Sequence, residues 1–96
     1  MEETQSIQPK TTLMLFHSDW CANCKRLEPI VAEIGKTYSG QVNTAFINIA
    51  KDPSSTSKYN VMSVPTLIIL KEGQPEERIY GFLPKDAIIK KLEFAQ

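Results

Sequence analysis

Residues 12–34 read TLMLFHSDWCANCKRLEPIVAEI. The first six, Thr12 to His17, form a short, nearly continuous apolar run bounded by polar residues, the signature of a buried strand. From Cys21 to about Tyr38 the period changes. Leu27, Ile30, Val31, Ile34 and Tyr38 fall at helical spacing, while Arg26, Glu28, Glu33 and Lys36 lie elsewhere. Pro29 stands inside this helix and is expected to kink it. Two cysteines, Cys21 and Cys24, therefore sit where a strand hands over to a helix.

That position suits redox chemistry. The first turn of a helix has unpaired N–H groups, and its macrodipole places partial positive charge there. Both favour a thiolate, which makes Cys21 the expected nucleophile and Cys24 the resolving thiol. A spacing of three puts the sulfurs on one face with Cα atoms about 5–6 Å apart, within the window a disulfide tolerates. Other uses of the pair fit less well. A bridge so short removes little entropy from the unfolded chain and makes a poor staple. Two cysteines do not complete a four-ligand zinc site, and Lys25 stands where a c-type haem motif needs histidine. Two chains sharing four thiolates around a metal or iron–sulfur cluster is a further arrangement, disfavoured because no other ligands lie nearby. No metal or other cofactor is expected.

Working outward, Asn43 to Ile49 reads as a second strand. Asp52-Pro53 reads as an N-cap and first-turn proline opening a short helix through about Tyr59. Thr66 to Lys71 is a strand apolar on both faces, Glu72 to Pro75 a turn, Glu77 to Phe82 a further strand, and Asp86 to Phe94 a terminal helix. A helical crossover makes the first two strands parallel, and the last two form an antiparallel hairpin. The fold class is α/β, a mixed four-stranded sheet with about three helices on its two faces.

The 96 residues make one domain, assigned to 11–96, after a loose arm over 1–10. Eleven basic and eleven acidic residues cancel, which leaves no electrostatic footprint for nucleic acid or an anionic membrane. No apolar run approaches a membrane span. Met1 to Lys10 has no apolar leader, so the chain as given reads as cytoplasmic, with an exported or membrane-tethered parent as the alternative.

Several spaced motifs together resemble the thioredoxin superfamily. Trp20-Cys21-Ala22-Asn23-Cys24-Lys25 is similar to its W-C-x-x-C-K active site, and Pro29 stands where that family kinks the helix. Tyr59 to Thr66 resembles the segment ending in a cis-proline, Lys71-Glu72-Gly73 the hairpin turn, and Gly81 a glycine before the last helix. The resemblance implies a thioredoxin fold whose first strand and helix are missing or reduced; Ser6 to Gln8 offers at most a short edge strand. It implies a cis Val64-Pro65 bond beside the disulfide. It also implies a substrate patch of Trp20, Val64, Pro65 and Gly81, with Phe82 beside them, in which the Val64 backbone pairs with an extended segment. Lys25 and Pro29 would support the site. The implied activity is reduction of protein disulfides by a monomer recharged by a reductase, the family's usual one being a flavoprotein. An oxidase or isomerase of higher potential and a peptide-binding module are the alternatives.

Three departures stand out. Leu15 and Phe46 occupy positions where the family has a buried aspartate and its lysine partner, so an apolar pair is expected in place of a charged one. No such carboxylate then remains to take the proton from Cys24, and resolution is expected to be slower or more pH-dependent. Ala22-Asn23 replaces Gly-Pro, which bears on the potential and not on the reaction type. His17 replaces an aromatic. Two roles are open to it, an electrostatic partner for a cysteine or a ring packing at the strand's end. The second is adopted, since the helix terminus already stabilises a thiolate. Asp19 would oppose that thiolate and Lys25 favour it, according to which lies nearer.

Overall fold

The computed structural model of the chain describes residues 10–95. Its elements are β1 (Thr11–His17), α1 (Ala22–Thr37), β2 (Val42–Asn48), α2 (Pro53–Lys58), β3 (Thr66–Lys71), β4 (Gln74–Tyr80) and α3 (Lys85–Ala95). Among the described residues no strand or helix precedes β1. The expected arm, apart from Lys10, and the edge strand at Ser6 to Gln8 lie outside them.

The four strands lie in the order β2-β1-β3-β4. β1 and β2 are parallel, with Thr11 opposite Val42 and His17 opposite Asn48, as the α1 crossover requires. β1 also pairs antiparallel with β3, and β3 with β4. β1 and β3 are thus flanked on both sides. That is why both read as continuous apolar runs instead of alternating ones.

Alternation sends their side chains into two cores. Leu13, Leu15, Leu67 and Ile69 face α1 and α3 and meet Leu27, Val31, Ile34, Ile88 and Leu92. Met14, Phe16, Ile68 and Leu70 face the other way, against Ile47 and Val61 with Tyr59 alongside. Phe16 and Tyr59 meet edge to face with ring centroids 6.0 Å apart. Full burial of each Leu or Ile contributes roughly 1.5–3 kcal/mol.

Local signals set the helix starts. Cys21 and Asp52 are N-caps; the Asp52 carboxylate accepts from the Ser55 N–H at 3.0 Å, with Pro53 in the first turn. The hairpin departs from expectation. Its turn is Glu72-Gly73 alone, both in the left-handed region at φ 53° and 82°. These are the two positive φ values of a two-residue hairpin turn. β4 therefore begins at Gln74, not Glu77, and ends at Tyr80. Pro75 lies inside it opposite Leu70, beside a register irregularity at Ile69/Leu70. An edge strand tolerates a proline whose missing N–H would face outward.

Candidate active site

Three chain segments converge at one end of the sheet. Phe16 near the end of β1 pairs with Thr66 at the start of β3, and Thr66 pairs with Tyr80 at the end of β4. The Val64-Pro65 bond and Gly81 immediately adjoin Thr66 and Tyr80, and the Cys-x-x-Cys turn follows the end of β1 after Ser18, Asp19 and Trp20.

Cys21 is half-exposed and caps α1 in an extended conformation; its Sγ accepts from the Cys24 N–H at 3.1 Å. The sulfur therefore occupies the place of an N-cap oxygen, against the orphan donors of the first turn. Cys24 is wholly buried. The two are joined in a disulfide with Cα atoms 5.2 Å apart, within the range that the spacing predicts. One sulfur thus faces outward and the other inward.

Around the pair, Trp20 is 94% exposed. The Val64-Pro65 bond is cis, as the family resemblance implies. Gly81, at φ 83°, donates its N–H to the Pro65 carbonyl at 3.0 Å, which locks the proline loop to the end of β4. Phe82 follows, with the Arg26 guanidinium 3.8 Å above its ring. That contact ties the start of α1 to the same loop, so Trp20, Cys21, Pro65, Gly81 and Phe82 belong to one end of the molecule. Lys25 is exposed, and its N–H donates to the Cys21 carbonyl at 3.2 Å. Asp19 accepts from the Asn48 side-chain amide at 3.0 Å, which engages its carboxylate with β2.

Two residues that sequence reasoning missed belong here. Met62 is 92% exposed, close before the cis bond; among the apolar residues of this loop, which also holds Val61 and Val64, nothing in the sequence set it apart. Arg26 was read merely as the polar side of α1, because its stacking partner is distant in sequence.

A cleft of about 510 Å³ opens beside α1, lined by His17, Glu28, Pro29, Ala32 and Phe46. The expected apolar pair only half holds. Leu15 is fully buried, but its in-register partner Phe46 is 44% exposed and lines the cleft. β2 is an edge strand, and α1 stands off from it at this level, so nothing closes over the ring. His17 lies at the strand's end beside Pro29, Ala32 and Phe46 of the cleft, and its Nδ1 is 3.6 Å from the Glu28 carboxylate. Among the described residues, no group of three or more His, Cys, Asp or Glu side chains could hold a metal ion. No helix there is long and apolar enough to cross a membrane.

The thioredoxin family model matches residues 2–94. A thioredoxin of Staphylococcus saprophyticus is 35% identical over 88 residues, covering 92% of this chain and 85% of that protein. One from Staphylococcus aureus is 34% identical over 87 residues, covering 91% and 84%. A solved mutant thioredoxin from Halobacterium salinarum superimposes with a TM-score of 0.83 at 29% identity, covering 90% of this chain and 74% of that one.

Proposed function

From the premise that this chain belongs to the thioredoxin family and is a thiol–disulfide oxidoreductase, we propose that it reduces disulfides in proteins, with Cys21 attacking and Cys24 resolving. The observation that carries this division of labour is the difference between the two sulfurs. Cys21 is accessible and held by a first-turn N–H, while Cys24 is buried behind it. An accessible thiolate stabilised by a helix terminus is the nucleophile.

The reaction runs in two exchanges. The Cys21 thiolate attacks one sulfur of the substrate disulfide, forms a mixed disulfide and releases the other sulfur as a thiolate. Cys24 loses its proton and attacks Cys21 Sγ. The Cys21–Cys24 disulfide forms, and the second substrate sulfur leaves. Two electrons and, after protonation, two protons have passed to the substrate. A dithiol donor returns the protein to its reduced form by the reverse exchanges; a reductase, the family's flavoprotein type, fits that role. Trp20, Val64, Pro65, Gly81 and Phe82 form the docking patch for an extended substrate segment. Met62 adds an apolar side chain to it. Lys25 and Pro29 shape the first turns of α1.

Insulin reduction by dithiothreitol tests the assignment. The wild type accelerates it. Cys21→Ser abolishes the acceleration, and pre-reduced Cys24→Ser mixed with insulin after removal of dithiothreitol traps a mixed disulfide at Cys21 that gel analysis detects. A Cys21→Ser variant that still accelerates the reaction would refute the assignment, and peptide capture surviving loss of both cysteines would favour a binding module.

A further inference from the structure

Beside its buried stripe, α1 has two flanks. Glu28, Pro29 and Ala32 border the cleft on one of them. The other carries Arg26 and Glu33, about two turns apart, and looks toward Phe82 and α3. The acids of this region are engaged elsewhere. Glu33 pairs with Lys85 at 3.0 Å, Glu28 lies against His17, and Asp19 accepts from Asn48. Among the described residues no carboxylate is in contact with Arg26, which is exposed. Its guanidinium is nonetheless held in place. Nη1 donates to Asn23 Oδ1 at 3.1 Å, and Cζ lies 3.8 Å from the centroid of the Phe82 ring. Asn23 is one of the two residues between the cysteines. Phe82 follows Gly81, whose N–H is bonded to the Pro65 carbonyl. The guanidinium thus spans the first turn of α1 and the loop that borders the docking patch.

We propose that Arg26 is a specificity-determining residue that takes a carboxylate of the substrate segment, so that the protein favours disulfides with an Asp or Glu close to the reacting cysteine. The inference rests on the docking patch assigned under the proposed function. Stacking on Phe82 engages the face of the guanidinium and leaves its in-plane N–H groups, apart from the one given to Asn23, open to an acceptor. A carboxylate matches that fork with two parallel bonds. Because the side chain is already held, little rotamer freedom is lost when the acid binds. The reach is right. Five positions of helix place Arg26 roughly 7.5 Å along the axis from Cys21. An extended segment advances about 3.3 Å per residue, so an acid two or three residues from the substrate cysteine spans that distance. The basic and acidic residues of the whole chain cancel. The preference is therefore local to this end of the molecule and not a product of long-range attraction. Its exposed setting keeps it modest and sensitive to salt.

The test is a ratio of two rates. Pre-reduced protein, freed of dithiothreitol, is mixed at neutral pH with disulfide-linked peptides whose fluorescence is quenched until the bond is cut. The peptides form pairs that differ only in Glu or Gln, placed two or three residues to either side of the cysteine. For at least one placement the wild type should cut the Glu peptide about tenfold faster than its Gln twin at low salt, and the ratio should shrink as salt is added. Arg26→Gln should bring that ratio to about one. Any general effect of losing the Phe82 contact alters both rates and divides out. Arg26→Lys keeps the charge but not the fork; it should keep a ratio of about three, and it carries the test should Arg26→Gln not fold. A wild-type ratio near one at every placement would overturn the inference. So would a ratio that survives in Arg26→Gln, or equal losses on both peptides, which would make Arg26 a strap for the loop and nothing more. A wild type that cuts neither peptide would instead refute the proposed function, and the inference with it.

Discussion

α1 buries its sheet-facing stripe along its whole length, at Cys24, Leu27, Val31 and Ile34, but its edge toward β2 is closed near the C-terminal end and opens as a cleft nearer the N-terminal end. At the closed end Val31 and Ile34 are wholly buried, and a Cβ on Gly35 would come within 2.9 Å of Thr44 Cγ2 on β2. Only a residue without a side chain lets the helix lie so near the strand. At the open end, Glu28, Pro29 and Ala32 face His17 and Phe46 across the cleft, and Trp20 and Cys21 reach solvent. Pro29 itself lines the cleft, where the helix forgoes a backbone bond. Packing of the buried stripe anchors the whole helix, and its first turn and its edge toward β2 carry Cys21 and the cleft. Stability and reactivity are therefore separable by mutation along α1.

Leu15→Asp attacks the packing beneath that stripe and is expected to have the largest effect. It removes a fully buried side chain and buries a carboxyl with no cation opposite, since Phe46 holds the facing position. Denaturant unfolding should show a loss of about 4 kcal/mol near neutral pH. Burial without a partner raises the folded-state pKa of such a carboxyl above its unfolded value. The penalty is therefore smallest in acid and grows as pH rises. Whatever fraction stays folded should resolve mixed disulfides faster near neutral pH, because the new carboxylate supplies a proton acceptor. An unchanged exchange rate would count against that part of the account. Gly35→Ala sharpens the comparison from the closed end. Overpacking against Thr44 should cost roughly 1–3 kcal/mol, partly offset by better helix propensity, with thiol exchange unaltered. Phe46→Ala probes the open end, where a ring 44% exposed has little packing to lose. A change of about 1 kcal/mol or less is expected in the same unfolding assay; a loss comparable to a core leucine would mean the cleft is closed in solution.

What was legible in the sequence follows the same division. Elements governed by local chemistry were read within a residue or so: β1 from its apolar run, α1 from the change of period, α2 from Asp52-Pro53. Cys21 and Cys24 were legible because their spacing and their place at a helix start define their geometry together. The hairpin was misread because Pro75 looked like a turn residue, and its tolerance depends on β4 being an edge. The antiparallel pairing of β1 with β3, the exposure of Phe46 and the stacking of Arg26 on Phe82 all depend on strand order, which local pattern does not encode. His17 illustrates the limit most clearly. Its partner Glu28 lies eleven residues on, and only the crossing of α1 over the sheet brings the two together.

The reduction potential of the Cys21–Cys24 pair, measured by equilibrating the protein against defined thiol–disulfide buffers, tests the proposed direction of electron flow most directly. The account predicts a value near or below roughly −270 mV, that of a disulfide reductant. A value between about −180 and −120 mV would contradict it and make the same two sulfurs those of an oxidase or isomerase.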